Sequence, residues 1–164
     1  MTNNETAGFS KPYLIIVLLL MLVLPILSVV FDYVFHRQTF ILIPDITQWF
    51  IFWPVGIRLF TAGCKQVLQP AFTAREIFHL KETESFIIVR ELGFANICLG
   101  IVAICSLFIP EWRMAASCSG GLYFGIAGFS HSIKKPAGAN EWIAMVSDMF
   151  IFLIMVMCFV FHYL

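Results

Sequence analysis

Residues 13–31 read YLIIVLLLMLVLPILSVVF, and this stretch decides the fold. It is apolar throughout apart from Ser28 and Pro25, and its length is close to the roughly 20 residues that a helix needs to cross a bilayer. A secretory signal peptide has a shorter apolar core followed by a small-residue cleavage site, which this sequence lacks. We therefore predict a membrane-spanning helix over residues 13–34, kinked rather than broken at Pro25.

The composition of the whole chain agrees with this prediction. Of its 164 residues, 60% are hydrophobic and 12% are charged, and the mean hydropathy is +0.91. Soluble domains contain about 45–50% apolar and about 25% charged residues. Ten Lys and Arg balance ten Asp and Glu without a basic block, so no nucleic-acid partner is predicted. The five cysteines form no CxxC motif, which argues against a zinc site or a disulfide framework.

The hydropathy pattern predicts an all-α membrane protein, with five transmembrane helices in a single domain. The N-terminal span adds to a four-helix core, and the spans cover residues 13–34, 46–67, 91–109, 112–133 and 142–163. Residues 69–90 form the one long polar stretch, predicted to be an interfacial cytoplasmic segment that starts with a short amphipathic helix. The second span is the least clear because Pro54 and Arg58 lie inside it.

The distribution of Lys and Arg predicts the orientation in the membrane. With five spans, seven of these residues lie on the amino-terminal side: Lys11, Lys65, Arg75, Lys81, Arg90, Lys134 and Lys135. The opposite side holds Arg37 and Arg113, and a four-span arrangement would move Lys81 and Arg90 there. Because cytoplasmic loops carry the excess of Lys and Arg, we predict a cytoplasmic amino terminus and a carboxyl terminus outside.

Small residues recur at helical spacing on the third and fourth spans. Gly93 and Gly100 share a stripe with Asn96, and Gly121 and Gly125 are four residues apart. Spans associate in lipid through close contact between small residues. We therefore expect the third and fourth spans to form an antiparallel pair through these glycines.

Ionisable and polar residues inside the predicted spans form a candidate site in the cytoplasmic half of the bundle. Its members are Arg58, Glu91, Asn96, His131 and Asp148. An unpaired guanidinium in a membrane is costly, so we predict that Arg58 lies within about 4 Å of Glu91 or Asp148. The cluster is interpreted either as a structural clamp between helices or as a proton-linked or ligand-binding cavity.

A second set of polar residues lies on the opposite side: Asp32, His36, Asp45, Glu111 and His162. Carboxylate and imidazole groups can hold a divalent cation, but interfacial groups of this kind are usually solvated. No metal and no cofactor is predicted.

Residues 90–96, RELGFAN, followed by Gly100, the Gly120–Gly121 pair, Gly128 and His131, resemble an uncharacterised family of small bacterial integral-membrane proteins, over roughly Gly56–Phe161. That family is a domain of unknown function, so the resemblance implies no activity. A fainter similarity links Arg58, Gly63 and Lys65, then Glu91, Gly93 and Gly100, to the DoxX-like four-helix membrane proteins. It implies a similar fold and a link to redox or respiratory processes, although this chain lacks a cysteine motif.

The sequence predicts a small polytopic protein of the bacterial inner membrane, acting as an accessory or structural subunit or as a small transporter. The chain has no recognisable nucleophile or cofactor motif, which favours a non-enzymatic role. The alternative is a DoxX-like redox or quinone-linked component. The predicted partners are the lipid bilayer and either a second copy or other membrane subunits.

Overall fold

The computed structural model describes residues 10–78, 80–134, 136 and 138–163, without the side chains of residues 76, 77, 162 and 163. Every regular element in this part of the chain is a helix, as predicted. The long helices are α1 (Lys11–Phe35), α2 (residues 42–68), α4 (Ser85–Cys105), α5 (Arg113–Lys134) and α6 (Ala139–Tyr163). A short helix, α3, covers residues 70–77, and a single 3₁₀ turn, Pro110–Trp112, precedes α5.

Each predicted span overlaps a long helix, although the boundaries differ. α4 begins at Ser85 instead of residue 91, and α2 begins at Leu42 instead of residue 46. The apolar patch at residues 39–44 is too short to span a membrane, and its sequence predicts a surface loop or a re-entrant edge, but the structure makes it helical from Leu42. The Asp45 carboxylate accepts a hydrogen bond from the Ile41 amide at 2.6 Å and so caps the start of α2. Pro44 fits in this first turn because its missing N–H has no helical acceptor there.

Among the described helices, three are long and apolar enough to cross a membrane: Lys11–Phe35, Ser85–Cys105 and Ala139–Phe161. The remaining long helices, α2 and α5, are less apolar, because α2 carries Arg58, Lys65 and Gln66 and α5 is rich in Gly and Ser. The helices indicate a membrane protein, while five spans remain a prediction.

Two prolines lie within long helices without breaking them. Leu19–Val23, which ends two residues before Pro25, and Ile51–Ile57, around Pro54, are π-helical. Proline lacks the amide hydrogen and its ring clashes with the carbonyl four residues earlier, and a wider turn relieves that clash. Both α1 and α2 are therefore continuous helices with a local change of pitch.

α2 and α4 pack with their backbones in close contact through facing glycines. A Cβ atom at Gly63 would lie 2.6 Å from the Gly93 carbonyl oxygen, and one at Gly100 would lie 2.6 Å from the Phe60 nitrogen. α5 packs on α6 through glycines that face side chains, as where Gly121 faces Met155. The expected pairing of the third and fourth spans through their glycines is therefore wrong. α4 and α5 are neighbours, but Gly93 and Gly100 of α4 face α2, while Gly121 and Gly125 of α5 face α6.

Different contacts close the two ends of the helical assembly. At the end where α1 stops and α2 starts, Asp32 accepts hydrogen bonds from Gln48 and Trp49, and Gln48 in turn accepts one from Arg113 of α5. At the opposite end, α3 packs on the bundle with Pro70, Thr73 and Ala74 buried. Between them lies an apolar core that includes Ile51, Val55 and Ile151. The helices thus position a polar site between this core and α3.

Candidate functional site

The central contact of the site joins Arg58 of α2 to Asp148 of α6. Arg58 Nη2 lies 2.8 Å from Asp148 Oδ1 and donates a second hydrogen bond to the Ser147 hydroxyl, also at 2.8 Å. The side chains of Arg58 and Asp148 are 12% and 9% exposed, so most of this ion pair is removed from solvent. Of the two carboxylates predicted to lie near Arg58, Glu91 and Asp148, it is Asp148 that does. Ser147 can accept from Arg58 because its own hydroxyl donates to the Ala144 carbonyl.

Arg58 retains unused hydrogen-bonding capacity. Its Nη1 nitrogen is buried and has no hydrogen-bond partner among the described residues. The guanidinium carbon lies 4.9 Å from the centre of the Phe124 ring on α5. Such stacking holds the guanidinium plane without occupying its N–H groups. One face of the group is therefore fixed while one donor nitrogen is left free.

Asn96 of α4 is 2% exposed and forms a buried amide pair with α2. Its Nδ2 atom donates to Gln66 Oε1 at 2.8 Å, while its Oδ1 atom has no hydrogen-bond partner among the described residues. Asn96 lies on the stripe between Gly93 and Gly100, so the close α2–α4 contact brings it against Gln66. The oxygen and nitrogen of such amides can exchange places if both side chains rotate. The pair can therefore offer either an acceptor or a donor.

These groups line one cavity of about 350 Å³ bounded by α1, α2, α3, α4, α5 and α6. Four of the five predicted site residues, Arg58, Asn96, His131 and Asp148, contribute to its wall. Its other wall residues include Tyr13, Lys65, Gln66, Thr73 and Tyr123. Ser10 and Pro12 of the α1 start and Phe72 and Phe78 near α3 also line it, so the cavity extends to the amino-terminal end of α1.

Glu91 is the predicted site residue that does not join the cavity. It is exposed on α4, whereas its neighbour Leu92 lines the wall. Since each helical residue turns by about 100°, Glu91 lies on the face opposite Gly93, which contacts α2. The helix also starts at Ser85, so Glu91 does not occupy the positive first turn expected from the sequence. The expectation that Glu91 shares the site is therefore corrected.

Lys65 lines the cavity, although the sequence did not place it in the candidate site. It is seven residues after Arg58 on α2, which places both on the same helix face. Its ammonium nitrogen lies 3.4 Å from the centre of the Phe72 ring of α3. Among the described residues, the ion pairs are Arg58–Asp148 and His36–Asp32. Lys65 is thus held by an aromatic face rather than by a carboxylate.

Gln66, Tyr13 and Tyr123 were also missed. Tyr13 lies close to Asp148 and makes a side-chain hydrogen-bond contact with Arg58, and Tyr123 makes one with Asn96, although neither contact completes Arg58 Nη1 or Asn96 Oδ1. Ala62, Lys65 and Gln66 follow Arg58 by four, seven and eight residues, a helical spacing that could have placed Lys65 and Gln66 on the Arg58 face. The tyrosines carried no comparable signal, because Tyr is ordinary near membrane interfaces.

The outer polar residues do not form a metal centre among the described residues. Asp32 is occupied by Gln48 and Trp49 and lies 3.1 Å from His36 Nδ1, while Asp45 caps α2. The part of the chain that the structure describes has no group of three His, Cys, Asp or Glu positioned for a metal ion. The His162 side chain lies outside the described residues.

Comparison with known proteins identifies one family. The sequence model of a family of unknown function, DUF6790, matches residues 13–164, which is most of the chain. No curated protein and no solved structure matches. What the site does must therefore be argued from its own chemistry.

Proposed function

The chain belongs to the DUF6790 family of unknown function, and we propose that it is a small ligand-binding or transport protein of the membrane. The ligand site is the cavity lined by Arg58, Asn96, His131 and Asp148. The observation that supports this most directly is that two buried polar atoms on its walls, Arg58 Nη1 and Asn96 Oδ1, have no protein partner among the described residues.

Unsatisfied buried polar groups are costly, typically about 1–3 kcal/mol each. A structural clamp gains nothing from leaving them, since its stability rests on complete pairing. A binding site requires such groups, because a ligand or water completes them on arrival. The free donor and acceptor therefore favour the cavity over the clamp.

The helix geometry around the cavity also supports a binding role. The three π-helical segments, Leu19–Val23, Ile51–Ile57 and Thr73–Ile77, each contain or adjoin a wall residue, namely Leu20, Arg58 and Thr73. π-turns are rare and are often found at functional sites. Here they set the pitch of α1, α2 and α3 where these helices meet the cavity.

The proposal includes the predicted topology. Five spans, α1, α2, α4, α5 and α6, with a cytoplasmic amino terminus, place the mouth of the cavity beside α3 on the cytoplasmic side. Accordingly the ligand enters from the cytoplasm or from the inner leaflet of the bilayer. An accessory role beside other membrane subunits is compatible with this site.

Water access to the cavity tests the proposal. In a chain with the five native cysteines replaced, Ala127→Cys introduces a thiol on the cavity wall, and Leu122→Cys introduces one on the exposed, apolar surface of α5. A charged, membrane-impermeant thiol reagent should modify the Cys at position 127 much faster than that at position 122. Equal or slower modification at position 127 would show that the cavity is closed to water, and the proposed function would be wrong.

In the DoxX-like redox alternative, the same free donor of Arg58 binds a neutral ligand. A quinone presents neutral carbonyl oxygens, which Arg58 Nη1 can also reach. An absorption spectrum of an organic extract from the purified protein distinguishes the two functions. A stoichiometric quinone, flavin or haem would favour the redox role over a transport or binding role.

A further inference from the structure

We infer that the cavity takes an amphiphilic monoanion, whose head group binds at Arg58 and Asn96 and whose apolar part fills the remaining space. This inference rests on the proposed function of the cavity as a ligand site and adds the chemical class of the ligand.

The charges on the cavity wall determine the sign of the ligand. Among the described wall residues the cations are Arg58 and Lys65, and the carboxylate is Asp148. Two positive charges and one negative charge leave one positive charge in excess among these three groups. Asp148 is already bonded to Arg58, while Lys65 lies on the Phe72 ring without a carboxylate. A ligand with one negative charge balances the cavity.

The free atoms determine where the head group lies. Arg58 Nη2 is used by Asp148 and Ser147, but Nη1 is buried and free. A carboxylate oxygen at Nη1 would give the guanidinium a second acidic partner, forming a charge-assisted hydrogen bond. If the Asn96–Gln66 amide pair rotates, Asn96 directs its Nδ2 donor toward the other carboxylate oxygen. Both buried groups are then satisfied by one head group.

Lys65 lies farther toward the mouth. Seven residues separate it from Arg58, which corresponds to about 10 Å along a helix that rises 1.5 Å per residue. At this position its charge attracts an anion from the cytoplasmic side and balances it once bound, without direct contact with the head group. Lys65 is therefore a positioning residue, and Arg58 is the binding residue.

The rest of the wall determines the body of the ligand. The larger apolar side chains that line it include Ile16, Leu20, Leu59, Phe72, Phe78 and Phe124. The volume of about 350 Å³ is at the lower end of small-molecule sites. It suits a medium-length chain or one ring system, and a small inorganic anion would leave most of it unfilled.

Two sources can supply this chemistry, a free fatty carboxylate and the phosphate of an anionic lipid. Native mass spectrometry of the protein released from a neutral maltoside detergent separates them. The probes are dodecanoate, dodecanol with the same chain but no charge, and phosphatidylglycerol beside phosphatidylcholine. We expect one dodecanoate per chain and no retained dodecanol. Preferential retention of phosphatidylglycerol instead supports the anionic class and assigns the head group to lipid.

Three variants assign the contacts. Arg58→Lys keeps a cation for Asp148 but removes the second donor nitrogen, and should weaken dodecanoate binding about tenfold or more. Lys65→Gln removes the excess charge at an exposed position and should weaken binding several-fold, mainly by slowing association. Lys134→Gln, an exposed lysine at the end of α5 that does not line the cavity, should change nothing.

The outcomes separate this inference from the proposed function. Equal retention of dodecanol and dodecanoate, or undiminished dodecanoate binding by Arg58→Lys and Lys65→Gln, overturns the monoanion and leaves a neutral ligand in the cavity. Binding of no probe, with Cys at position 127 still modified by the thiol reagent, also overturns it and leaves a cavity that holds water. An unmodified Cys at position 127 overturns the proposed function itself.

Discussion

Arg58 and Asp148 are separated by 90 positions in the sequence, yet the Nη2 atom of one lies 2.8 Å from the Oδ1 atom of the other, joining α2 to α6. Both side chains are largely buried, and Ser147, the residue before Asp148 on α6, accepts a further hydrogen bond from Arg58. This pair and the neighbouring Arg58 Nη1 have different roles. One nitrogen of the guanidinium holds two helices together, and the other remains available in the cavity.

Removing the carboxylate at Asp148 should destabilise the protein strongly. Asp148→Ala leaves a buried guanidinium without its ionic partner, a change that costs about 3–5 kcal/mol in comparable buried pairs. Glu91→Gln is the control, because the sequence also predicts Glu91 beside Arg58. Since Glu91 is exposed, we expect its replacement to change the free energy of unfolding by no more than about 0.5 kcal/mol. Unfolding of both variants in detergent, followed by circular dichroism, measures the difference. A large loss with Glu91→Gln would contradict the arrangement of α4.

The glycine contact between α2 and α4 should be intolerant of even one methyl group. A Cβ at Gly63 would lie 2.6 Å from the Gly93 carbonyl oxygen and 2.8 Å from the Ile97 nitrogen, both backbone atoms that cannot rotate away. Gly63→Ala should therefore cost about 1–3 kcal/mol through overpacking. Gly125→Ala is the control, because its nearest neighbour is the Phe152 ring, which can turn aside. Equal thermal stabilities of the two variants would show that α2 and α4 are farther apart than described here.

The sequence was sufficient to predict the helices and to restrict the partner of Arg58 to Glu91 or Asp148, because hydropathy indicates helix position and the cost of an unpaired charge requires a nearby carboxylate. It was insufficient to decide which helix faces which. A glycine stripe signals close approach but is equally compatible with any neighbour, so Gly93 and Gly100 were paired with α5 when they contact α2. The sequence likewise does not give the rotation of each helix about its own axis, and for this reason it predicts Glu91 in the site and does not predict Gln66 there. Both errors concern orientation about the helix axis.

The predicted topology has its own test, since α2 and α5 are less apolar than the other long helices. With five spans and a cytoplasmic amino terminus, a reporter fused after Leu164 lies outside the cytoplasm. Alkaline phosphatase at this position should therefore be active and a green fluorescent protein dark. The reverse result would contradict the predicted orientation of the carboxyl terminus.

Substitutions of Asn96 and His131 should distinguish a structural role from a functional role of the cavity wall. Asn96 is 2% exposed and hydrogen-bonded to Gln66, so Asn96→Ala leaves a buried amide unpaired and should cost about 1–3 kcal/mol. His131 lines the cavity but is only partly buried, and His131→Ala should leave the unfolding free energy nearly unchanged.

A double-mutant cycle attributes the Asn96 effect to its partner. If the Asn96–Gln66 hydrogen bond is the cause, Gln66→Ala and Asn96→Ala are non-additive, and the double variant loses less stability than the sum of the two single changes. Dodecanoate binding by His131→Ala, measured alongside, tests whether the imidazole serves the ligand. Additive losses for Asn96 and Gln66 would mean that their hydrogen bond is not the cause of the effect. A loss with His131→Ala as large as that with Asn96→Ala would mean that the cavity wall is one structural network, and the case for a binding site would then rest on Arg58 alone.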